Sequence, residues 1–413
     1  MSAMTDPNQP QIAPLPRVSI QAFCETGDVA QSVQAAAGDR RLDKTHVKVQ
    51  MGGIAAAVEA YRTAPTPNVI IIENAHGRSE LVAGLDQLSE FCDSGTKVVV
   101  IGHINDVLLY RELMNRGVSE YIIAPVATIE MVRSLSELFR GPSATPLGRT
   151  VAVVGAKGGV GASTIGHNIA WTVARSLGLD TVIVDLDLAF GTAGLNFNQD
   201  PPQGIADVVF TPDRADAAVV DRLLSKCADH LSLLAAPSTL ERPYDFNEDA
   251  FDAVLDILRA NVPYIVLDVP HVWTAWSRRV IAAADEIVIV ATPDLACLRN
   301  VKNLTDTFKL IRVNDAAPRL VLNMVGVPKR PEIKPADFSK ALESEPVAII
   351  PFDPQIFGTA ANNGQMISET NAASKPAEMF LALAQIVTGR AEARRVKRGL
   401  LNPIFEKLQR KKA

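Results

Sequence analysis

The chain has 413 residues, of which 47% are apolar but only 5% aromatic, and it carries a formal net charge of −5. This length is too great for one ordinary core and predicts two or three domains, while apolar content drawn mostly from Ala, Val, Ile and Leu favours helices packed on buried parallel strands. The negative charge argues against general binding of polyanions such as nucleic acid.

The first sixteen residues are polar and rich in Pro and Gln, unlike the apolar core of a signal peptide. No later segment offers the roughly 18 consecutive apolar residues that a membrane span needs. The four cysteines lie far apart without paired spacing, which argues against a zinc knuckle or a disulfide framework. We therefore expect a disordered start over residues 1–16 and a cytoplasmic location.

Residues 17–140 alternate short apolar runs with stretches whose apolar positions recur at helical spacing, and five such strand-then-helix units predict a small doubly wound parallel sheet. Residues 141–149 concentrate Gly, Pro, Ser and Thr and are predicted to be a linker. A second series follows over residues 150–390, with apolar runs such as TVAVVG, TVIVDLD and YIVLDVP. The predicted fold class is therefore α/β, with two doubly wound parallel-sheet domains.

The loop GAKGGVGAST, residues 155–164, joins the first strand of the second series to a helix. A phosphate site requires a buried strand, a glycine-rich turn and a helix start in that order, because glycines let backbone N–H groups turn inward at the positive end of the helix dipole. The nucleotide-binding residues predicted from the loop are Lys157, Gly158, Gly159, Val160, Gly161, Ala162, Ser163 and Thr164.

Three carboxylates stand at the ends of later strands: Asp185 and Asp187 in VIVDLD, and Asp268 in YIVLDVP. Ser163 supplies a hydroxyl directly after the loop. Mg²⁺ prefers oxygen ligands together with water. We therefore predict that Ser163, Asp185 and Asp268 hold a metal ion, directly or through water.

With this loop and these carboxylates, residues 148–390 resemble the deviant Walker ATPases of the ParA/MinD group. Lys157 matches the signature lysine of that group, whereas Ala162 stands where its second loop lysine is found. The resemblance implies ATP and Mg²⁺ as cofactors, Asp187 as the residue that orients the attacking water, and Asp268 as the Mg²⁺-linked carboxylate. The residues implied for contact with the adenine are Asn323, Pro351 and Asp353.

The absence of the second loop lysine affects the rate of ATP hydrolysis that we expect. A loop lysine stabilises the charge that spreads over the transferring phosphoryl group, and losing one such preorganised partner costs about 10²–10³ in rate. In the ParA/MinD group the signature lysine reaches across a nucleotide-sandwich dimer to the partner's phosphates. We therefore expect a homodimer that binds ATP with at most weak ATPase activity, with Lys157 and Asp187 as its catalytic residues.

The segment from Asp268 to Asn300, together with the loop that lacks its second lysine, looks like the CpaE/TadZ pilus-assembly branch of the group. That resemblance implies a nucleotide-dependent localisation and assembly factor for a type IV (Tad/Flp) pilus secretion machine. Its implied partners are the pilus secretion ATPase and other pilus-machine proteins, with no specific nucleic acid. A ParA-like DNA-partitioning ATPase is the alternative, which the acidic bulk of the chain disfavours.

Three large side chains, His271, Trp273 and Trp276, follow Asp268, where the group has a nucleotide-sensitive switch. The tryptophans either pack a helix onto the sheet or form a contact surface. The sequence leaves both alternatives open.

Residues 17–140 resemble a response-regulator receiver whose phosphotransfer residues are replaced. Glu73 stands at the phosphoacceptor position, Ala124 at that of the receiver lysine, and Gly102 and His103 at that of the hydroxyl residue. A carboxylate one methylene longer cannot bind Mg²⁺ and accept phosphate in the same geometry. We therefore expect a pseudo-receiver domain used for docking, with Glu73 as a solvated acid at a strand end; a mimic of the phosphorylated state is the alternative.

Residues 391–413 are predicted to form a basic amphipathic tail. Pro403 allows a helix here only if it lies in the first turn. Such a helix can lie in an anionic membrane surface, so we expect peripheral contact with the inner membrane or cell pole, or docking on a partner or on the protein's own core. A helix that begins at Pro403 leaves Leu400 and Leu401 outside it. The apolar residues that helical spacing puts on one side are Leu400, Leu401, Ile404, Phe405 and Leu408.

Overall fold

The computed structural model describes residues 12–75, 77–93, 95–140, 147–240 and 243–390. Within these ranges the chain divides into two compact units, the first built from residues 12–140 with Arg312–Asn314 and the second from the remainder of residues 147–390. The tail predicted over residues 391–413 lies outside the described residues, and so does most of the start predicted to be disordered.

Leu15 lies inside that predicted start of residues 1–16 but is buried, and its N–H donates to the carbonyl of Arg41 at 2.8 Å. The prediction of disorder is therefore wrong at this position. The physical reason is that Leu15 joins the apolar core on one face of the first sheet.

The first unit is a parallel sheet whose described strands run in the order β2-β1-β3-β4-β5, with helices on both faces. The centre of β3 is apolar and buried from both sides, as expected of a doubly wound sheet. The strands are β1 (Ser19–Cys24), β2 (His46–Met51), β3 (Val69–Asn74), β4 (Lys97–Gly102) and β5 (Glu120–Ile123). The helices are α1 (Gly27–Ala37), α2 (Gly53–Tyr61), α3 (Arg78–Ser89), α4 (Val107–Asn115) and α5 (Thr128–Glu137), with a 3₁₀ turn at Arg40–Leu42.

The second unit is a larger sheet whose described strands run in the order β13-β12-β11-β6-β10-β7-β9-β8. The strands are β6 (Arg149–Gly155), β7 (Thr181–Asp185), β8 (Ser225–Ala228), β9 (Leu231–Leu234), β10 (Tyr264–Val269), β11 (Glu286–Ala291), β12 (Arg319–Val325) and β13 (Ala348–Pro351). The longer helices are α6 (Ala162–Leu177), α10 (Asp252–Asn261), α11 (Ala275–Ala283), α12 (Leu295–Ile311), α13 (Pro335–Leu342), α14 (Pro354–Asn363) and α16 (Lys375–Val387). The shorter ones are α7 (Ala193–Asn196), α8 (Ile205–Val209), α9 (Ala217–Leu223) and α15 (Ile367–Thr370), with a 3₁₀ turn at Pro212–Arg214.

The α/β class and the parallel sheets predicted from the sequence are confirmed. One edge strand departs from the parallel pattern, since β8 pairs with β9 antiparallel through a turn in which His230 has a φ of 63°. The four residues of β8 show neither an apolar run nor alternation, so the sequence contained no signal for this strand.

The strand order places β6, β10 and β7 side by side. Asp268 of β10 is in register with Val153 of β6 on one side and with Asp185 of β7 on the other. Because the carboxyl ends of parallel strands meet at the same edge of a sheet, the glycine-rich loop after β6 and these two carboxylates lie together. The fold thus assembles one site from three distant segments.

All four cysteines are free. Among the helices of the described ranges, none combines the length and the apolar character that crossing a membrane demands.

Candidate functional site

The loop between β6 and α6 makes its turn at two glycines. Gly159 has a φ of 77° and Gly161 a φ of 83°, which L side chains rarely adopt. A Cβ on Gly161 would also stand 2.6 Å from Nδ2 of Asn323. The turn therefore requires glycine at position 161 for both backbone conformation and space.

Side chains from three other segments hold this loop in place. Each donates a hydrogen bond of 2.8 or 2.9 Å to one of its carbonyl oxygens. Because these bonds come from the protein itself, the shape of the loop is set without a bound phosphate. The donor and acceptor pairs are Asn323 Nδ2 with Val160, Asn300 Nδ2 with Ala156, and His271 Nδ1 with Gly155.

Of the three residues predicted to contact adenine, Asn323 lies against this loop, and none of the three lines the open cleft over it. Asn323 is buried beneath the loop. Pro351 is half-buried at the end of β13, and Asp353 caps α14 by accepting the N–H of Ile356 at 3.1 Å. Their contact with a base stays a prediction.

Lys157 forms an ion pair within its own chain. Its Nζ lies 2.7 Å from Oδ2 of Asp294, which also accepts the hydroxyl of Thr292 at 2.7 Å, while Oδ1 accepts the N–H of Cys297 at 2.9 Å. The hydrogen bond to Asp294 raises the pKa of Lys157. Burial opposes the charged form of Asp294, but these hydrogen bonds hold the pKa of that carboxyl below its ordinary value. Both partners are therefore charged at neutral pH.

Ala162 begins α6 and contributes only a methyl group to the site. Among the described residues that line the cleft, Lys157 is the only lysine or arginine. The positive potential for a phosphate therefore comes from backbone N–H groups, the helix terminus and Lys157 once it leaves Asp294.

Asp268 is buried at the end of β10, where only 3% of it is exposed. Its Oδ1 accepts the hydroxyl of Ser163 at 3.2 Å, and its Oδ2 lies 3.1 Å from Nε2 of His167. Ser163 and His167 are one helical turn apart on α6, so both face β10. The structure thus brings the predicted pair of Ser163 and Asp268 together and adds His167, which the sequence analysis missed.

Asp185 is buried too, but it organises the segment that follows it. Its Oδ1 accepts the N–H of Asp187 and its Oδ2 that of Ala193, both at 3.1 Å. A Cβ on Gly191 would stand 2.4 Å from Oδ2, so the chain passes closely over the carboxylate. Burial, followed by the negative charge of Asp268, raises the pKa of Asp185 to about 7. Asp187 itself lines the cleft, as a residue that orients water must.

Across the described part of the chain, no group of three or more His, Cys, Asp and Glu side chains is arranged to hold a metal ion. Mg²⁺ does not need such a cage, because it usually binds one or two protein oxygens together with waters and phosphate oxygens. The hydroxyl of Ser163 and the carboxylate of Asp268, adjacent to each other behind the loop, are donors of this kind. They fit a Mg²⁺ ion that arrives with a phosphate.

A cleft of about 670 Å³ opens over the loop, which falls within the roughly 300–1,000 Å³ of ligand sites. The glycine-rich loop forms one wall. The other wall is aromatic and was not predicted, because part of it comes from an irregular segment between β9 and α10. The aromatic residues of this wall are Phe190, Tyr244, Phe246 and Trp276.

The two tryptophans after Asp268 take different positions. Trp276 is buried, with its ring centroid 4.8 Å from that of Phe251, and packs α11 onto the core. Trp273 is 53% exposed and meets Phe308 edge to face at 6.1 Å. The packing alternative therefore holds for Trp276, whereas Trp273 offers apolar surface.

In the first unit, Glu73 is fully buried at the end of β3, so the prediction of a solvated acid is wrong. Its Oε2 accepts the N–H groups of Glu25 at 2.7 Å and Thr26 at 2.9 Å. Its Oε1 accepts the Thr26 hydroxyl at 2.7 Å and lies 3.0 Å from Nε2 of His103. Burial disfavours the charged form, but these hydrogen bonds outweigh it and lower the pKa of Glu73. The physical reason is reach, because the extra methylene brings the carboxylate to the N–H groups at the start of α1.

A family model described as an AAA domain matches residues 148–320. Among curated proteins, the septum site-determining protein MinD of Synechocystis is 27% identical over 251 residues, which cover 59% of this chain and 90% of the relative.

Among solved structures, the pilus assembly protein CpaE of Caulobacter crescentus is 41% identical, with a TM-score of 0.31, and the match covers 32% of this chain and 100% of that one. MinD of Pyrococcus horikoshii, solved in complex with Mg-ADP, is 21% identical with a TM-score of 0.52, covering 58% of this chain and 96% of that one. The likeness to MinD of Pyrococcus horikoshii shows that the two proteins share a fold.

We expect Gly161→Ala to lower the free energy of unfolding by about 1–2 kcal/mol, because an L side chain is strained at this backbone conformation. Gly158→Ala is the matched control: its backbone has no positive φ, and no atom lies within 4 Å of the added Cβ. Urea unfolding of both variants measures the difference. An equal loss in the two variants would contradict the role assigned to Gly161.

Glu73→Gln should lower the free energy of unfolding by about 1–3 kcal/mol, because an amide nitrogen then faces buried donors that it cannot satisfy. The control is Glu59→Gln, whose side chain is 75% exposed in an ion pair with Arg62 and should change stability by less than about 1 kcal/mol. Chemical unfolding of the full chain tests both. If the two variants unfold alike, the buried carboxylate contributes nothing net to the stability of the first unit.

Proposed function

We propose that this chain, which belongs to the ParA/MinD family of ATPases, is of the CpaE pilus-assembly kind and acts as a nucleotide-dependent localisation and assembly factor of a type IV (Tad/Flp) pilus secretion machine. The name of the CpaE relative supplies the pilus context and favours this function over DNA partitioning. The proposed ligand is ATP with Mg²⁺. The proposed partners are a second copy of the chain, the pilus secretion ATPase and other proteins of the machine.

The observation that carries this proposal is a preformed phosphate loop whose lysine is engaged elsewhere. Three side chains hold the loop carbonyls, while Lys157 is bound to Asp294 and Ala162 offers no cation. The free chain therefore has the groups that bind a phosphate but lacks a free ammonium to stabilise the charge of the transition state. This combination supports binding of ATP with slow hydrolysis.

In the proposed sandwich dimer, Lys157 leaves Asp294 and reaches the phosphates bound by the partner. The side chain of Lys157 is 44% exposed and that of Asp294 is 34% exposed. Ion pairs open to solvent contribute only about 0–1 kcal/mol, so exchanging Asp294 for a phosphate costs little. Phe190 and Leu295, each about three-quarters exposed, supply apolar surface for such a contact.

Within this proposal Ser163, Asp185 and Asp268 hold Mg²⁺, directly or through water, and Asp187 orients the attacking water. Asp185 also supports the segment that carries Asp187. Asn323, Pro351 and Asp353 are the proposed contacts of the adenine. The protein acts in the cytoplasm, and the tail at residues 391–413 is its proposed contact with an anionic membrane surface or a partner.

We expect ATP with Mg²⁺ to stabilise the wild-type chain by about 2.7 kcal/mol at a hundredfold excess over its Kd and to produce a dimer in sedimentation velocity. Lys157→Ala should bind ATP but remain monomeric, because its ammonium acts across the dimer. Lys302→Ala is the control, since its side chain is 60% exposed in an ion pair on α12. A dimer of Lys157→Ala that matches the wild type would remove the sandwich arrangement.

Ala162→Lys should raise the single-turnover rate of ATP hydrolysis by about 10²-fold, since it restores a cation to the loop. Ala162→Met adds a side chain of similar length without charge and should leave the rate unchanged. The rate of phosphate release, measured for both variants, tests whether the charge at position 162 raises the rate of hydrolysis. A rate for Ala162→Lys no higher than that of Ala162→Met would show that the second lysine is not what limits turnover.

A further inference from the structure

A chain of hydrogen bonds runs from Asp268 to the surface of the second unit through one wholly buried side chain, His167 of α6. Nε2 of His167 lies 3.1 Å from Oδ2 of Asp268, and Nδ1 lies 3.0 Å from Nδ2 of Asn196. None of the roles proposed above uses His167 or Asn196.

The two partners determine which ring nitrogen carries the proton. An amide nitrogen offers only hydrogens, so Nδ1 of His167 accepts from Asn196, and Nε2 holds the ring hydrogen and donates it to Asp268. The imidazole also packs against Phe197, with the ring centroids 5.5 Å apart. The ring is therefore held at both ends and along its side.

At the inner end, His167 and Ser163 donate to different oxygens of the same carboxylate. Two donors on one helix fix the rotation of the Asp268 carboxylate. The remaining lone pairs of Asp268 are available to a metal ion or to its waters. Partners that hold a metal-linked side chain in this way typically change metal affinity by about 10- to 100-fold.

At the outer end, Asn196 is the last residue of α7, the short helix that follows the Asp187 segment. The start of α7 is held by the bond from the N–H of Ala193 to Asp185. Phe190 and Leu195, which lie before and within α7, are each 75% exposed. A shift of α7 therefore moves both the Asn196 amide that donates to His167 and the exposed side chains of Phe190 and Leu195.

We propose that His167 is a positioning residue that couples a Mg²⁺-bound nucleotide at Asp268 to the position of α7 and its exposed Phe190 and Leu195. The inference rests on the proposed function, because it needs the metal–nucleotide complex at this carboxylate. A displacement of the Asp268 carboxylate reorients the imidazole that donates to it, and Asn196 moves with the imidazole. The coupling is reciprocal, so a protein that contacts Phe190 and Leu195 changes the affinity of the site for Mg²⁺-nucleotide by the same factor.

Three substitutions separate the two ends of the connection. In His167→Gln the side-chain amide nitrogen reaches to the position of Nε2, so the donor to Asp268 is kept and the acceptor for Asn196 is lost. In His167→Asn the amide oxygen stands near the position of Nδ1, so the acceptor is kept and the donor to Asp268 is lost. Asn196→Ala removes the outer link, together with a 3.4 Å hydrogen bond to the Thr192 hydroxyl, at a half-buried site and leaves the core of α6 intact.

The experiment uses the full chain with ADP, which binds without hydrolysis. Calorimetry gives the affinity for ADP with Mg²⁺ and with EDTA, and hydrogen exchange follows the peptides that cover residues 187–199. We expect Mg²⁺ to tighten ADP binding by the wild type and to slow exchange in these peptides. His167→Asn should lose about 10- to 100-fold of the Mg²⁺-dependent affinity, whereas His167→Gln and Asn196→Ala should keep it but lose the change in exchange.

The outcomes distinguish this inference from the proposed function. If the wild type binds no ADP, or binds it equally with EDTA, the proposed function fails first. If the wild type binds as expected but Asn196→Ala keeps the full change in exchange, or His167→Asn keeps the full effect of Mg²⁺, the coupling through His167 is overturned. Unfolding midpoints of the variants show whether each is folded, and Asn196→Ala decides the question alone if the His167 variants are not.

Discussion

The buried carboxylate of Asp268 is the constraint on which the site of the second unit depends. A carboxylate with 3% exposure has to be hydrogen-bonded by the protein, and both of its donors come from the helix that begins at the glycine-rich loop. The loop, α6 and β10 are therefore tied to one another. Asp185, beside it in register, accepts two N–H groups from the next segment. This pair of neighbouring acids thus connects β10 and β7 to α6 and to the segment that carries Asp187.

The two units each bury a carboxylate at the end of a central strand, with opposite consequences. An ionised carboxylate can accept about four hydrogen bonds. Glu73 takes four from Glu25, Thr26 and His103, so the protein itself saturates it. Asp268 takes two from side chains within the described residues and keeps lone pairs for a metal or water. The protein saturates the first carboxylate, whereas the second, although also buried, keeps acceptor capacity.

Features that depend on residues close together in the sequence could be predicted from it. Apolar runs marked the strands, and glycine spacing marked the loop whose positive φ angles require glycine at 159 and 161. Even the meeting of Ser163 with Asp268 followed, because strand ends share an edge. Distant contacts that do not follow from shared strand ends could not be predicted: Lys157 and Asp294 are separated by 137 positions, and His167 and Asp268 by 101. Glu73 was misjudged because one methylene decides whether its carboxylate reaches water or the start of α1.

Binding a nucleotide and hydrolysing it make different demands on this site. Loop N–H groups and metal oxygens stabilise the bound phosphate, whereas a loop lysine acts mainly on the charge that develops in the transition state. On the proposed function, Ala162 leaves the loop N–H groups and the metal oxygens in place but removes part of the stabilisation of the transition state. Slowing hydrolysis by about 10²–10³ lengthens the life of the ATP-bound state by the same factor. A long-lived bound state suits the proposed role, in which the protein stays in place while partners assemble on it. In the proposed dimer, the ion pair of Lys157 with Asp294 would keep the remaining lysine engaged until a second copy binds.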